Sequence, residues 1–196
     1  MMQLEKEDNM KAKMLKREKT VFVAIDYQTS IIKAMKDAEA VEEKAAKLIK
    51  GAKILGSPVI VTQQYTKGLG ETTDKIKEAL GEFEPIEKNT FSAMKTQEFK
   101  NKFASTARLA NSETVVLFGI EAHVCVMQTA LDLIDAGYKV FIPVDCISSR
   151  TELDKRAAIQ RMRHAGAIVC TCESVLFELL KGAGEPGFKE ISQLVK

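Results

Sequence analysis

The sequence is poor in the residue types that build metal sites and disulfide frameworks. It has no tryptophan, two histidines and four cysteines, and no two cysteines form a C-x-x-C pair. His123 and His164 stand outside any paired motif with the spacing of metal ligands, so no metal site is predicted. Cysteines without a disulfide-like spacing favour a reducing compartment, and we expect a cytoplasmic protein.

A strong charge imbalance and a long apolar run are also missing. The 29 basic and 27 acidic side chains leave a formal net charge of +2. This balance gives no electrostatic argument for a nucleic-acid partner or an anionic membrane surface. No apolar stretch approaches the roughly 20 residues that a membrane-spanning helix needs. We therefore expect neither nucleic acid nor membrane as a partner.

The chain is predicted to form one domain behind a charged lead-in. Residues 1–19 mix basic and acidic side chains and are expected to be solvated. Residues 20–196 contain no linker, repeat or low-complexity segment, and their length suits a single core.

Within this domain, short apolar runs alternate with segments of helical periodicity. Strands are predicted at 20–25, 59–62, 84–87, 114–119, 139–144 and 167–171, the third with a weak signal. Helices are predicted at 39–55, 72–80, 96–110, 124–136, 154–165, 174–180 and 188–195. The alternation predicts an α/β fold, a Rossmann-like three-layer sandwich with a six-stranded parallel sheet. The strand order expected for it is the common one, 3-2-1-4-5-6.

The fourth strand leads directly into a helix, and Cys125 lies in the first turn of that helix. Unpaired backbone N–H groups and the helix dipole at this position favour a thiolate. A small buried core residue is an equally good interpretation of Cys125 when it is taken alone.

Three chemically active side chains are expected at one edge of the sheet. Ligands of such sheets bind beyond the carboxyl ends of the strands, where the winding reverses. Asp26 ends strand one and Cys125 follows strand four, which would be its neighbour, while Lys88 follows strand three. Taken singly, Asp26 could be a helix cap and Lys88 is better explained as a surface lysine. Their convergence nevertheless predicts a crevice with an acid, an amine and a thiol.

Such a crevice would suit nucleophilic catalysis. Cys125 would attack a carbonyl or nitrile carbon, Asp26 would act as base, and Lys88 would keep the carboxylate ionised. Backbone N–H groups near residues 121–125 would stabilise the oxyanion. His123 is a second choice for the base.

Two weaker signals suggest other ligands but are not favoured. Cys170 and Cys172 are better explained by sheet packing than by half a zinc site. The glycines at 68 and 70 do not follow a strand directly into a helix, so a phosphate-binding loop is not expected.

Four motifs in order resemble the isochorismatase-like cysteine hydrolase family between Thr20 and Leu180. They are VAIDYQ, IEKNTFSAM, GIEAHVCVMQTALDLIDAGYKVFIPVDCISSR and TCESVLFELL. Within the family, TQQYTKGLGETT and GIEAHVC are most similar to the isochorismatase domain-containing subgroup, whose substrates are poorly defined.

The resemblance implies a catalytic triad of Asp26, Lys88 and Cys125 that works without a cofactor. It also implies a non-proline cis peptide at Ile120–Glu121, a small-molecule substrate and a homo-oligomer, either dimer or tetramer. Gln64 and Tyr65 are candidates for the pocket wall, and plain loop roles are equally plausible for them. The full set of oxyanion and substrate-binding candidates is Glu121, Ile120, Ala122, Gln28, Gln64, Tyr65 and Phe91.

The chain departs from two branches of this family. Nicotinamidases carry an Asp-x-His metal motif after the second strand, where this chain has Gln63-Gln64-Tyr65. Metal-dependent nicotinamide hydrolysis is therefore not expected. True isochorismatases do not need the cysteine, so Cys125 argues against that activity. The expected function is hydrolysis of a small amide-like C–N bond. The alternative is a catalytically silent protein with a binding or regulatory role. A third hypothesis is a thiol-based sensor in which Cys125 pairs with Cys146.

Overall fold

The computed structural model describes residues 14–196, and its centre is a seven-stranded sheet in which all strand pairs are parallel. The strands are β1 (Thr20–Ile25), β2 (Val59–Gln64), β3 (Ile86–Lys88), β4 (Thr114–Ile120), β5 (Lys139–Pro143), β6 (Ile147–Ser148) and β7 (Ile168–Cys170). The helices are α1 (Thr29–Ile32), α2 (Ala38–Ile54), α3 (Thr66–Leu69), α4 (Asp74–Leu80), α5 (Gln97–Leu109), α6 (Met127–Asp135), α7 (Glu152–His164), α8 (Cys172–Leu180) and α9 (Phe188–Leu194). The predicted α/β class is confirmed.

Strands β1 and β4 form the centre of the sheet. Their sequences, TVFVAI and TVVLFGI, are nearly continuous apolar runs, and every residue in both is buried. A strand covered on both faces by helices requires this composition. The two strands pair along the whole of β1, from Thr20 opposite Thr114 to Ile25 opposite Gly119.

Helices cover the sheet in two sets. Helix α2 packs on α4, α8 and α9, while α6 packs on α7 and on β5. The buried stripe of α2 includes Val41, Ala45, Leu48, Ile49 and Ala52, the spacing from which the helix was predicted.

The strand order is β3-β2-β1-β4-β5-β7, which matches the prediction, but the sheet has seven strands instead of six. The predicted fifth strand ends at Pro143, a residue with no N–H to donate to a ladder. A 3₁₀ turn, Val144–Cys146, follows, and β6 then pairs with Gly119 and Ile120 of β4. A two-residue strand carries too little periodicity to be predicted.

The break between β5 and β6 is bridged by Tyr27. The Tyr27 hydroxyl donates a hydrogen bond to the Cys146 carbonyl inside the turn. Its ring packs against Phe118, with 6.0 Å between the ring centroids. Burial raises the pKa of Tyr27 well above its usual range, so the hydroxyl stays protonated as a donor.

Gly119 allows β1 and β4 to approach closely at the end of the sheet that carries Asp26. A Cβ atom at this position would lie 2.4 Å from the Ile25 carbonyl oxygen. Its φ of 154° is also one that other residues rarely adopt. Glycine is therefore required by both the space and the backbone conformation.

Part of the predicted lead-in packs on the domain. Leu15 is buried, and its N–H donates to the Glu178 carboxylate at 2.6 Å. Residues 1–13 of the lead-in lie outside the described residues. Among residues 14–196, no helix combines the length and apolarity needed to cross a bilayer.

Candidate active site

Asp26 and Lys88 form a buried ion pair at the carboxyl ends of the strands. Asp26 follows β1 directly, and Lys88 is the last residue of β3, two strands away. The Lys88 Nζ lies 2.6 Å from Asp26 Oδ2, and the side chains are 0% and 1% exposed. Lys88 is thus a buried lysine, and its interpretation as a surface residue is wrong.

The second oxygen of the Asp26 carboxylate is held by Thr62, which the sequence analysis missed. The buried Thr62 hydroxyl donates to Oδ1 at 2.7 Å. Thr62 lies near the carboxyl end of β2, the strand between β1 and β3. A hydroxyl-bearing residue at that edge of the sheet is the sequence feature that could have identified it as a partner of Asp26. Asp26 itself has a φ of 54°, an uncommon conformation that directs the chain out of the strand.

The Lys88 ammonium has three more acceptors besides Asp26. They are Gln64 Oε1 at 2.7 Å and the carbonyl oxygens of Thr90 at 3.3 Å and Phe91 at 3.2 Å. An ammonium donates three hydrogen bonds, so this shell saturates it. The surrounding oxygens explain why a charged lysine is stable here, because burial without partners would be very costly.

Of the candidate pocket-wall residues, Gln64 lies beside this ammonium. Gln64 accepts from Lys88 and donates its amide to the Asn89 carbonyl at 3.1 Å. Tyr65 and Phe91 are about half exposed, at 51% and 54%. Of these three residues, Gln64 contacts the Lys88 ammonium through its side chain and Phe91 through its backbone carbonyl.

Cys125 lies close to the ion pair and is 4% exposed. Its pKa is raised to about 12, first by burial and next by the negative charge of Asp26, while Lys88 acts in the opposite direction. Both charged groups therefore lie near enough to act on the thiol. Of the two interpretations of Cys125 left open by the sequence, the buried, protonated thiol is the one that fits, because burial and the charge of Asp26 raise its pKa.

The turn that carries Cys125 differs from the expected helix start. A π-helical turn, Ala122–Val126, precedes α6, and turns of this type occur frequently at functional sites. The expected cis peptide at Ile120–Glu121 is wrong, since no peptide bond within residues 14–196 is cis. The chain reverses instead through a left-handed conformation at Glu121, with φ 58° and ψ 69°.

The loop after β6 supports this turn with two side chains. Arg150 Nε donates to the Glu121 carboxylate at 2.8 Å, and the Ser149 hydroxyl lies 3.0 Å from Nδ1 of His123. The Glu121 carboxylate is therefore paired with a cation. Its neighbours Ile120 and Ala122 are fully buried, so they can offer a ligand only their backbone groups.

The side chain of Gln28, a substrate-binding candidate, is used for contacts within the protein. It is fully buried, and its amide hydrogens go to the carbonyl oxygens of Gln64 at 3.0 Å and Gly70 at 2.6 Å. Its Oε1 accepts from the Gln64 N–H at 2.7 Å. Gln28 therefore holds the loop after β2 in place and has no amide hydrogen left for a ligand.

The remaining cysteines gather elsewhere. Cys146 and Cys172 both contact the Asp145 carboxylate, and burial and Cys172 raise the pKa of Cys146 well above its usual range. All four cysteines are free. These contacts place Cys146 beside Cys172, which weakens its assignment as a redox partner of Cys125. Within residues 14–196, no group of three or more His, Cys, Asp or Glu side chains could hold a metal ion.

Comparison with known proteins identifies the family to which this arrangement belongs. The model described as "Isochorismatase domain" matches residues 20–174. The chain belongs to the isochorismatase family. The resemblance recognised in its four motifs is confirmed.

Similar proteins cover most of the chain. Isochorismatase domain-containing protein 1 of Salmo salar is 40% identical over 90% of this chain. The chain spans only 61% of the length of that relative. Isochorismatase domain-containing protein 2 of Xenopus laevis is 37% identical over 93% of this chain and 86% of its own.

Among the solved structures that are similar in both sequence and fold, one comes from a nematode. It is described as the MAR1 ribonuclease of Caenorhabditis elegans and is 36% identical to this chain. The TM-score is 0.86, over 93% of this chain and 92% of that one.

Proposed function

We propose that this protein is a metal-independent cysteine hydrolase that cleaves a small amide-like C–N bond. The observation that carries the proposal is the buried Lys88–Asp26 pair acting on the pKa of the adjacent Cys125 thiol. A nucleophile, a base and a fixed cation are the groups that acyl transfer through a thioester requires.

The first chemical step begins from a neutral thiol. With a pKa of about 12, Cys125 is protonated at neutral pH. Asp26 takes the proton as the sulfur attacks the carbonyl carbon, and the π electrons of the C=O bond move to its oxygen. The Val124 N–H already donates to the Glu121 carbonyl at 2.9 Å, so the N–H groups of Ala122 and His123 are the candidates to bind this oxyanion.

Collapse of the tetrahedral intermediate breaks the C–N bond. The leaving nitrogen takes the proton from Asp26, and a thioester to Cys125 remains. Asp26 then removes a proton from water, which attacks the thioester and releases the acid, while the sulfur recovers its proton. Lys88 keeps its charge throughout and stabilises the carboxylate in each ionised state.

The proposed substrate class, oligomeric state and cellular location rest on the sequence and on the family resemblance. We propose a small-molecule substrate and a homo-oligomer of two or four subunits, which light scattering of the purified protein tests. The four free cysteines fit a cytoplasmic location. The proposed chemistry uses no cofactor.

The decisive experiment compares Cys125→Ala with a matched control, Cys170→Ala. Cys170 is half-buried and lies at the end of β7, away from the proposed chemistry. A panel of amides, carbamates and ureides is screened for acid product. We expect turnover in the native protein and in Cys170→Ala, and none in Cys125→Ala.

Equal turnover by Cys125→Ala would remove the nucleophile from the proposal. An RNA oligonucleotide belongs in the same panel, because one similar structure is described as a ribonuclease. Cleavage of RNA without turnover of any C–N substrate would contradict the proposed substrate class. No turnover, with tight retention of a metabolite, would favour a binding protein.

A further inference from the structure

We infer that Thr129 is a positioning residue that fixes the Lys88 ammonium relative to the Cys125 thiol. This inference rests on the proposed function, because it assigns a task to a residue outside the triad. The buried Thr129 side chain lies on α6 and contacts both the turn of Cys125 and the segment that follows Lys88.

The Thr129 hydroxyl joins two distant segments through two hydrogen bonds. It donates to the Cys125 carbonyl at 2.7 Å and accepts from the Ala93 N–H at 3.0 Å. Both hydrogen bonds are buried, so water cannot replace either partner of the hydroxyl. Removing it would leave the buried Ala93 N–H without its acceptor, which costs about 1–3 kcal/mol, and would free the lysine-bearing segment from the turn of Cys125.

The segment held by Thr129 is also the segment that holds Lys88. We call residues 89–95 the lysine loop. Its Thr90 and Phe91 carbonyl oxygens accept from the Lys88 ammonium, at 3.3 and 3.2 Å. Ala93, two residues further along, is the donor to Thr129. The path from ammonium to nucleophile therefore runs through the lysine loop and one hydroxyl.

A second attachment of the lysine loop provides a comparison. Ser92 donates to Asp132 at 2.6 Å, and Lys95 lies 3.2 Å from the same carboxylate. Asp132 is on α6 like Thr129, but its side chain is 24% exposed. This outer attachment holds the loop to the helix without touching the Cys125 turn.

Loss of the Thr129 hydroxyl should weaken the influence of Lys88 on the thiol. Lys88 lowers the pKa of Cys125, whereas burial and Asp26 raise it. An ammonium that moves away leaves the carboxylate unopposed, so the pKa rises and the thiol becomes less reactive. Simple loosening of the structure predicts the opposite sign, because a better exposed thiol reacts faster.

The test measures alkylation of Cys125 by iodoacetamide and needs no known substrate. Mass spectrometry follows the peptide that contains Cys125, with the Cys170 peptide as an internal reference. We expect Thr129→Val to react about fivefold more slowly than the native protein at pH 9, while Cys170 is unchanged. Thr129→Ser keeps the hydroxyl and should recover most of the native rate. Ser92→Ala removes only the outer attachment and should stay near the native rate.

An unchanged or faster Cys125 reaction in Thr129→Val would overturn the inference. If that variant does not fold, Thr129→Ala takes its place, with the same comparison against Thr129→Ser. Once a substrate is found, Thr129→Val should lower kcat with little change in KM. Failure to find any substrate would count against the proposed hydrolase, whereas the alkylation result judges Thr129 by itself.

Discussion

The Lys88 ammonium and the Asp26 carboxylate lie 2.6 Å apart where neither side chain meets solvent. Removing one partner should leave an unpaired buried charge. We therefore expect Lys88→Met to lower the free energy of unfolding by about 3–5 kcal/mol, measured by urea denaturation. The double variant Asp26→Asn/Lys88→Met should recover part of this loss.

A surface ion pair supplies the control for that measurement. Lys50 and Glu78 lie 3.1 Å apart with side chains 43% and 76% exposed. Lys50→Met should cost less than about 1 kcal/mol, because water screens such pairs. A similarly small loss for Lys88→Met would show that Lys88 does not depend on its buried partner.

Asp26→Asn should change the reactivity and the turnover of Cys125 in opposite directions. The Asp26 charge raises the pKa of Cys125, so its removal should increase the thiolate fraction and the rate of alkylation by iodoacetamide. Turnover of a C–N substrate should fall, because an amide cannot accept the proton. Alkylation by mass spectrometry and a product assay measure the two effects. Slower alkylation in this variant would contradict the assigned effect of the carboxylate.

Stability should decline in alkaline solution as the unfolded chain loses protons that the folded chain retains. The pKa of Cys125 is about 12 in the fold, against an ordinary value near 9. The stabilisation that comes from this raised pKa is fully present below about pH 9, and it is lost from the free energy of unfolding as the pH rises toward 12. Cys125→Ala should flatten the dependence of the unfolding free energy on pH by up to about 1.4 kcal/mol per pH unit. Denaturation curves from pH 8 to 11 measure this slope, and equal slopes in both proteins would argue against the raised pKa.

Gly119→Ala should destabilise the pairing of β1 and β4, the two strands that lead to Asp26 and Cys125. The added methyl would lie 2.4 Å from the Ile25 carbonyl oxygen, a backbone atom that cannot move aside cheaply. Overpacking and the unfavourable φ together should lower the free energy of unfolding by about 3 kcal/mol. Gly137→Ala is a useful comparison, because its φ of 89° is also strained but nothing lies within 4 Å of the added Cβ. Urea denaturation of both variants separates the strain from the clash, and equal losses would mean that close strand approach contributes little.

The central architecture could be predicted because it depends on local patterns. The apolar runs of β1 and β4 and the helices between the strands indicate a parallel sheet, and the common strand order of such sheets put Asp26 and Cys125 at the ends of neighbouring strands. Two-residue β6 and the single-turn helices α1 and α3 are too short to produce a periodicity. The left-handed conformation at Glu121 leaves no mark in the sequence that separates it from the expected cis bond.

The electrostatics of the site were harder to predict because they depend on distant contacts. Burial of Lys88 requires acceptors from Asp26, Gln64 and the lysine loop, which are separated along the chain. The high pKa of Cys125 likewise reflects burial by the whole fold and not its place at a helix start. Gln28 shows the same limit, since only the folded chain reveals that its amide hydrogens are used by backbone oxygens.

The break between β5 and β6 has a consequence for the proposed base. Tyr27, the residue after Asp26, is anchored in that break through its hydroxyl and its ring. Thr62 and Lys88 each donate a hydrogen bond to one oxygen of the Asp26 carboxylate. With its backbone and its side chain both tethered, the base has no freedom to follow a reacting molecule. In the proposed mechanism a substrate must therefore reach Asp26 already in the correct pose, because the carboxylate cannot reorient to meet it.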